Sequence, residues 1–180
     1  MALEVLHDWQ RNLRAAGDAV KYVRGKMDIG TSNKFLPNFW GTPARVLCVA
    51  ESRDHIIKDL ASQQPDIERE GKDPMRATVD TWAYWSRHYG CGNCGEHSAM
   101  AFVYLRERQQ IFPLDWMQIN QLEHGFVVIG RAGVTNPADS STWNGEAVIC
   151  DPYKNEWMAA SDCPWIRRRE IGLIYREATG

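Results

Sequence analysis

Apolar residues in the first half of the chain recur at the spacing of an α-helix. Over residues 2–24 they fall three or four positions apart and form one stripe, which predicts an amphipathic helix. The same spacing predicts three further helices, over residues 44–61, 77–88 and 95–110. We therefore expect the first half of the chain to be mainly helical.

Two segments between these helices have the composition of loops. Residues 28–43 combine Gly, Pro and Asn with aromatic residues, and we expect an ordered loop that packs Phe35, Phe39 and Trp40 onto the core. Residues 62–75 are the most polar stretch of the chain, which predicts a flexible and solvated loop.

The hydrophobic pattern changes at Trp116, where short runs of β-branched and aromatic residues replace the helical stripes. Turn-rich pieces separate these runs, which predicts four strands, at residues 116–120, 124–131, 146–151 and 170–176. Helices that precede strands in this way favour an α+β fold, with the helices packed on one antiparallel sheet, over alternating βαβ units.

Length, charge and hydropathy narrow the functional classes. The chain has 180 residues, enough for one domain, with residues 1–88 mainly helical and residues 89–180 holding a further helix and the sheet. Its formal net charge of −2 offers no attraction to phosphate backbones, so we expect no nucleic-acid partner. Apolar runs are far shorter than a membrane span, so we expect no membrane insertion.

The N-terminus lacks the basic and then apolar order of a Sec-type signal peptide. We therefore expect a soluble protein that acts in a reducing cytosol. A protein delivered into a target cell by a specialised secretion system would have the same features, because such signals need not resemble Sec signals.

The chain has five cysteines, an odd number, so at least one thiol has no partner within the chain. Residues 90–99 read GCGNCGEHSA and lead into an apolar helical stripe, which puts Cys94 at a helix N-terminus. Unsatisfied N–H groups and the positive end of the helix dipole lie there, and both favour a thiolate. Glycines flank Asn93 and Cys94, so we expect a tight turn, room for a substrate carbonyl, and the Cys94 N–H as an oxyanion donor.

A thiol nucleophile needs a base, and the base needs a partner that orients it. His124 opens the predicted strand at 124–131, and Asp151 closes the predicted strand at 146–151. Each side chain would then lie at the end of a rigid element. The chain thus contains a candidate triad of Cys94, His124 and Asp151, in that order.

The three segments resemble the papain-like and transglutaminase-like superfamily of cysteine enzymes. The resemblance rests on three motifs, Cys-Gly-Asn-Cys at 91–94, His-Gly-Phe-Val-Val at 124–128 and Val-Ile-Cys-Asp-Pro at 148–152. It implies a helix that carries the nucleophile, packed on an antiparallel sheet that carries His and Asp. By this resemblance Cys94 is the nucleophile, His124 the general base and acid, and Asp151 the residue that orients the imidazole; no cofactor is implied.

Departures from papain indicate a subgroup. Papain-type proteases carry Gln six residues before the nucleophile, Trp after it and Asn as the third member, whereas this chain has His88, Gly95 and Asp151 there. The Asp and the short spacings are closer to transglutaminase-like enzymes and to the compact glutamine deamidases among bacterial effector toxins.

The resemblance therefore implies a cysteine hydrolase that acts on a carboxamide of a protein substrate through a thioester, most similar to a protein-glutamine deamidase. A papain-like protease and a transglutaminase are the alternatives within this class. A toxin of the effector type would also have an inhibitory, immunity-type protein or a chaperone as a partner.

Three further residues are candidates for oxyanion stabilisation or substrate contact, namely His88, Asn93 and Trp143. His88 occupies the position of the papain-type Gln, and Asn93 directly precedes the candidate nucleophile. Trp143 lies in a turn-rich segment between the strands of His124 and Asp151, where a substrate could reach it.

An interpretation of another class takes Cys91, Cys94 and His97 as zinc ligands in a zinc-stabilised or catalytically silent binding module. A fourth ligand at short spacing is missing, although Cys150 or Cys163 could fold back. If the chain is an enzyme instead, the role of Cys91 stays open, including a disulfide with Cys94. The remaining cysteines are then expected to be packing residues, namely Cys48, Cys150 and Cys163.

Overall fold

The computed structural model describes residues 8–28, 42–167 and 169–179. Within these ranges, four α-helices precede a five-stranded antiparallel sheet and pack on it, which confirms the expected α+β class. The helices are α1 (Asp8–Lys26), α2 (Thr42–Glu70), α3 (Pro74–Tyr89) and α4 (Cys94–Tyr104), the last continued by a π-helical turn, Leu105–Gln109. The strands are β1 (Leu114–Ile119), β2 (His124–Ile129), β3 (Val148–Asp151), β4 (Glu156–Ala159) and β5 (Ile171–Glu177).

The sheet has the strand order β4-β3-β2-β1-β5, and every pair of neighbours is antiparallel. In the β2–β3 pair, Val127 lies opposite Cys150. Continuing this register by one residue puts Asp151 across from Phe126, so His124 becomes its diagonal neighbour on the same face of the sheet. Strand pairing therefore brings together two of the three candidate catalytic residues.

Hydrophobic cores cover both faces of the sheet. The core between the helices and the sheet includes Phe102 of α4 with Val127 of β2 and Cys150 of β3. The core on the opposite face includes Phe126 and Ile149 from the same two strands. Alternate residues of each strand thus pack into the cores on opposite faces of the sheet, because successive side chains of a strand point to opposite faces.

The loop predicted at residues 62–75 is wrong over most of its length, because α2 continues through it. The helix continues past Pro65, which removes one backbone donor. Polar pairs at helical spacing stabilise this part, since Gln64 Nε2 donates to Glu68 Oε1 at 2.6 Å. Ile67 is buried at 5 % exposure and fixes the end of α2 to the rest of the protein. The high polarity of the segment marks a solvated helix face rather than a loop.

Strand β4 was not predicted from the sequence. Its four residues, Glu-Trp-Met-Ala, contain no β-branched side chain and show no clear alternation. The segment is a strand because its backbone pairs with β3, with Met158 opposite Ile149. A short edge strand of this kind has little local signal in the sequence.

Some expectations fall on residues outside the described ranges. These are the first residues of the helix predicted at 2–24 and the packing of Phe35, Phe39 and Trp40. The helices that the structure does describe include none with a stretch long and apolar enough to span a membrane.

Candidate active site

Cys94 follows a tight turn between α3 and α4. Gly90 ends α3 in the left-handed conformation, at φ 67°, and its N–H donates to the Ser86 carbonyl at 2.9 Å. Residues 91–93 follow, and α4 begins at Cys94, as the sequence predicts. Cys94 therefore occupies the first position of a helix, where N–H groups lack intrahelical acceptors and the helix dipole is positive.

The glycines around Cys94 make room for side chains of the protein itself. A Cβ on Gly92 would overlap the Cβ of Glu96, and a Cβ on Gly95 would lie 2.7 Å from the Trp82 ring. The space that we expected these glycines to leave for a substrate is thus filled by Glu96 and Trp82. Gly125 of β2 has a related role, because a Cβ there would lie 3.4 Å from the Gly95 Cα.

His124 and Asp151 form a buried hydrogen-bonded pair. His124 Nε2 lies 2.6 Å from Asp151 Oδ2, and the Asp151 carboxyl is wholly buried. Its other oxygen, Oδ1, accepts a hydrogen bond from the Lys154 backbone N–H at 3.0 Å. Both carboxyl oxygens have partners, so the carboxylate is held in one orientation and fixes the imidazole ring.

The Cys94 thiol and the His124 ring interact, and the interaction shifts the pKa of each group. Burial favours the neutral thiol, but the His124 interaction and hydrogen bonds with the Gly125 and Gly95 backbones outweigh it, so the pKa of Cys94 is lowered. Burial disfavours the imidazolium, but Asp151 and Cys94 outweigh it and raise the pKa of His124 to about 9. Together these shifts favour a thiolate–imidazolium pair. Because Asp151 occupies Nε2, the ring nitrogen left for the sulfur is Nδ1.

A backbone carbonyl beside His124 accepts a hydrogen bond from the protonated thiol. Cys94 Sγ lies 3.2 Å from the carbonyl oxygen of Glu123, which adopts the left-handed conformation at φ 48°. Only the neutral thiol can donate to this oxygen. Ionisation of Cys94 therefore exchanges a hydrogen bond to Glu123 for an ionic contact with His124.

Aromatic side chains surround the imidazole. The Tyr153 ring centroid lies 5.8 Å and the Trp165 ring centroid 5.6 Å from that of His124. Trp165 is held in place because its Nε1 donates to Glu156 Oε2 at 2.8 Å and the Lys154 ammonium lies over its ring at 3.7 Å. Neither aromatic residue was predicted from the sequence, because neither belongs to a periodic pattern that points to His124.

An ion pair beside the nucleophile was also not predicted from the sequence. Arg53 of α2 donates from Nε to Glu96 Oε1 at 2.6 Å, and the Glu96 side chain is wholly buried on the first turn of α4. Glu96 Oε2 also accepts the Asn93 backbone N–H at 2.8 Å, the backbone half of a capping box. The acidic residue in this first turn was the available signal, but its partner lies 43 positions away in the chain.

The three candidates for oxyanion or substrate contact have different surroundings. Asn93 is the N-cap residue of α4, beside Cys94, so it is at the site. His88 is exposed on α3, and its recorded ring contacts are with Tyr84, Trp85 and Tyr89. Trp143 is half-buried against the core that contains Phe126 and Ile149, and its Nε1 donates to the Asn136 carbonyl at 2.9 Å. In the described structure, neither His88 nor Trp143 is brought into contact with Cys94 or His124.

The alternative zinc set is not assembled. Cys91 forms a disulfide with Cys48, so its sulfur is not a thiolate ligand, and the expectation that Cys48 only packs is wrong. His97 is the third residue of the set, and its Nδ1 is hydrogen-bonded to the Asn93 carbonyl at 2.8 Å. No group of three or more His, Cys, Asp or Glu side chains in the described ranges is arranged to hold a metal ion. The disulfide also bears on the expected reducing compartment, where such bonds are rare.

The other free thiols are packing residues, as expected. Cys150 and Cys163 are wholly buried. Burial raises the pKa of Cys150, and it raises the pKa of Cys163 to about 11. Among the three free cysteines, Cys94 alone is accessible and has a lowered pKa.

Comparison of the chain with protein-family models, with curated proteins and with solved structures finds no match. The chemistry of the site is therefore argued from its own residues.

Proposed function

We propose that this protein is a cysteine hydrolase of the papain-like and transglutaminase-like type, and that it deamidates glutamine side chains of a protein substrate. The observation that carries the proposal is one connected arrangement. Cys94 opens α4 with its Sγ 3.2 Å from the carbonyl oxygen of Glu123, and the next residue, His124, is hydrogen-bonded to the buried Asp151 at 2.6 Å. A lowered pKa on the accessible thiol and a raised pKa on the imidazole are what nucleophilic catalysis by cysteine requires.

In the first step, the Cys94 thiolate attacks the carbon of the substrate carboxamide. A carbon–sulfur bond forms, and the carbonyl electron pair moves onto oxygen to give an oxyanion. The N–H groups at the first turn of α4 point along the helix axis and can donate to this charge. Cys94 thus supplies the nucleophile and its own helix supplies an electrostatic partner for the oxyanion.

In the second step, the oxyanion collapses and the carbon–nitrogen bond breaks. The imidazolium of His124 gives its Nδ1 proton to the leaving nitrogen, so ammonia departs and a thioester remains on Cys94. Asp151 keeps the ring in the orientation that this transfer needs.

In the third step, water replaces ammonia. His124 takes a proton from the water as it attacks the thioester, and the carbon–sulfur bond breaks to release a glutamate side chain and Cys94. A primary amine in place of water would give a cross-link instead. If the leaving nitrogen belonged to a peptide bond instead of a glutamine side chain, the same residues would catalyse proteolysis.

The test uses a library of synthetic peptides that each contain one glutamine, incubated with the purified protein. We expect ammonia release and peptides that keep their length but carry the mass change from carboxamide to carboxylic acid. Hydroxylamine added to the reaction should intercept the thioester and yield hydroxamates. Cys94→Ala should lower the rate by about 10³-fold or more while the protein stays folded.

Cys163→Ala is the matched control, because it removes a buried free thiol that is not part of the triad, and it should leave the activity unchanged. Shortened peptides would identify a protease, and amine-linked peptides with little hydrolysis would identify a transglutaminase. A fully active Cys94→Ala variant would overturn the proposal in each of these forms.

A further inference from the structure

Helix α2 contacts the turn that carries the nucleophile through two side chains. The Cys48–Cys91 disulfide joins α2 to the residues before α4, and Arg53, just over one helical turn further along α2, pairs with Glu96. Glu96 is the third residue of α4, on the same turn as Cys94. Residues remote in sequence thus act on the segment that positions the sulfur.

The negative charge of Glu96 disfavours a thiolate at Cys94. A wholly buried carboxylate on the same helical turn opposes the formation of a second negative charge. Its other interactions do not cancel this charge, because the Asn93 backbone N–H that it accepts is neutral. The charge is balanced by Arg53, which donates from Nε at 2.6 Å and from Nη2 at 3.3 Å.

Arg53 is coupled to the thiol as well as to the carboxylate. Its pKa is raised by the hydrogen bond to Glu96, against the effect of burial, and further by the negative charges of Glu96 and Cys94. The side chain remains 45 % exposed, so the guanidinium is solvated while it bonds to a buried partner. The charged groups and polar contacts around the sulfur come from four elements, namely Arg53 of α2, Glu96 of α4, His124 of β2 with Glu123 before it, and Asp151 of β3 behind the imidazole.

We propose that Arg53 is a positioning residue of this site, which acts through Glu96 to fix the first turn of α4 and to balance the Glu96 charge, and so favours the ionised form of Cys94. The proposal rests on the proposed function only in taking Cys94 as the nucleophile. It assigns Arg53 no contact with the substrate. An ordinary structural salt bridge would stabilise the fold without changing the ionisation of the thiol.

The experiment measures the rate of Cys94 alkylation by iodoacetamide as a function of pH, with the modified residue identified by peptide mapping. This measurement needs no substrate, so it is independent of the success of the deamidation assay. We expect Arg53→Ala to move the midpoint of the alkylation profile upward by about one pH unit, and so to slow alkylation by about tenfold at pH values below the wild-type midpoint. Glu96→Gln should move the midpoint in the opposite direction, because the Arg53 charge is then unopposed.

Two further variants separate charge from structure. In the double variant Arg53→Ala/Glu96→Gln, the midpoint should return toward that of the wild type. The midpoint of Arg53→Lys should lie closer to that of the wild type than the midpoint of Arg53→Ala does. Arg69→Ala is the matched control, since Arg69 is exposed on the same helix and pairs with Asp66 instead. Its midpoint should equal that of the wild type.

Three results would overturn the proposal. A wild-type midpoint in Arg53→Ala would show that the ion pair does not act on the thiol, and so would a double variant that keeps the full upward shift. If Arg53→Ala does not fold, Glu96→Gln decides, because an unchanged or raised midpoint in that variant contradicts the proposed charge balance.

Discussion

His124 and Asp151 are 27 residues apart in the chain, yet Nε2 of the first lies 2.6 Å from Oδ2 of the second. The antiparallel pairing of β2 with β3 makes them diagonal neighbours on one face of the sheet. Because Asp151 is wholly buried, its charge is balanced by the imidazolium rather than by solvent. This relationship raises the pKa of His124, and the His124 interaction contributes to lowering the pKa of Cys94.

The pair predicts the pH range of the proposed activity. The proposed reaction needs Cys94 as thiolate and His124 as imidazolium, and the two titrate as a coupled pair. The lowered pKa of Cys94 places the acid limb of the rate profile below the usual range of a thiol. The alkaline limb should lie near the raised pKa of His124, about 9, where the imidazolium loses its proton.

Ammonia release measured across the neutral and alkaline range tests this profile. An alkaline limb near the ordinary imidazole pKa of about 6.5 would contradict it.

Asp151→Asn should weaken the site through His124. The neutral amide no longer stabilises the imidazolium, so the pKa of His124 falls and the alkaline limb moves to lower pH. We expect activity to fall by about 10²–10⁴-fold, as the imidazole loses both orientation and charge support. Asp162→Asn is the control, because Asp162 is exposed and outside the triad. A wild-type pH profile in Asp151→Asn would argue against the assigned role.

The disulfide should contribute to stability more than to chemistry. It closes a loop with a sequence separation of 43 residues, which corresponds to about 4 kcal/mol in the chain-entropy model. Urea denaturation of Cys48→Ala/Cys91→Ala should show a free energy of unfolding lower by about that amount. Dithiothreitol should destabilise the wild type and leave the double variant unchanged; equal effects on both would show that the two cysteines do not pair.

Gly92→Ala should perturb the nucleophile turn. The added methyl group would overlap the Glu96 side chain, so the capping interaction must shift, at a cost of about 1–3 kcal/mol. Slower alkylation of Cys94 should accompany the loss of stability, measured by thermal unfolding and by iodoacetamide. Gly145→Ala is the matched control, since a Cβ there would meet nothing within 4 Å. Equal stability of the two variants would refute the packing argument.

The sequence predicts the local parts of the site well. Cys94 opens α4, His124 opens β2 and Asp151 closes β3, each at the end of the element to which the pattern assigned it. These positions follow from apolar periodicity and from the Gly-rich turn before Cys94, which act over a few residues. The incorrect prediction of a loop at residues 62–75 also arises from local patterns, because a solvated helix and a polar loop differ little in composition.

The contacts that control the site come from tertiary structure. Arg53 reaches Glu96 across 43 positions, Cys48 reaches Cys91 across the same separation, and the Trp165 ring lies against His124. No local pattern in the sequence marks these partners, because each contact depends on how α2 packs beside α3 and the start of α4, or on how the segment after β4 packs against the sheet.

The sequence by itself determined the class of fold, the approximate positions of most elements and the residues able to form a triad, since those depend on periodicity and on the chemistry of single side chains. Tertiary structure decided which groups surround the thiol, and therefore its ionisation. Electrostatic effects at a buried group depend on distances of a few ångström and on exclusion of water, and both arise only when distant segments are packed together.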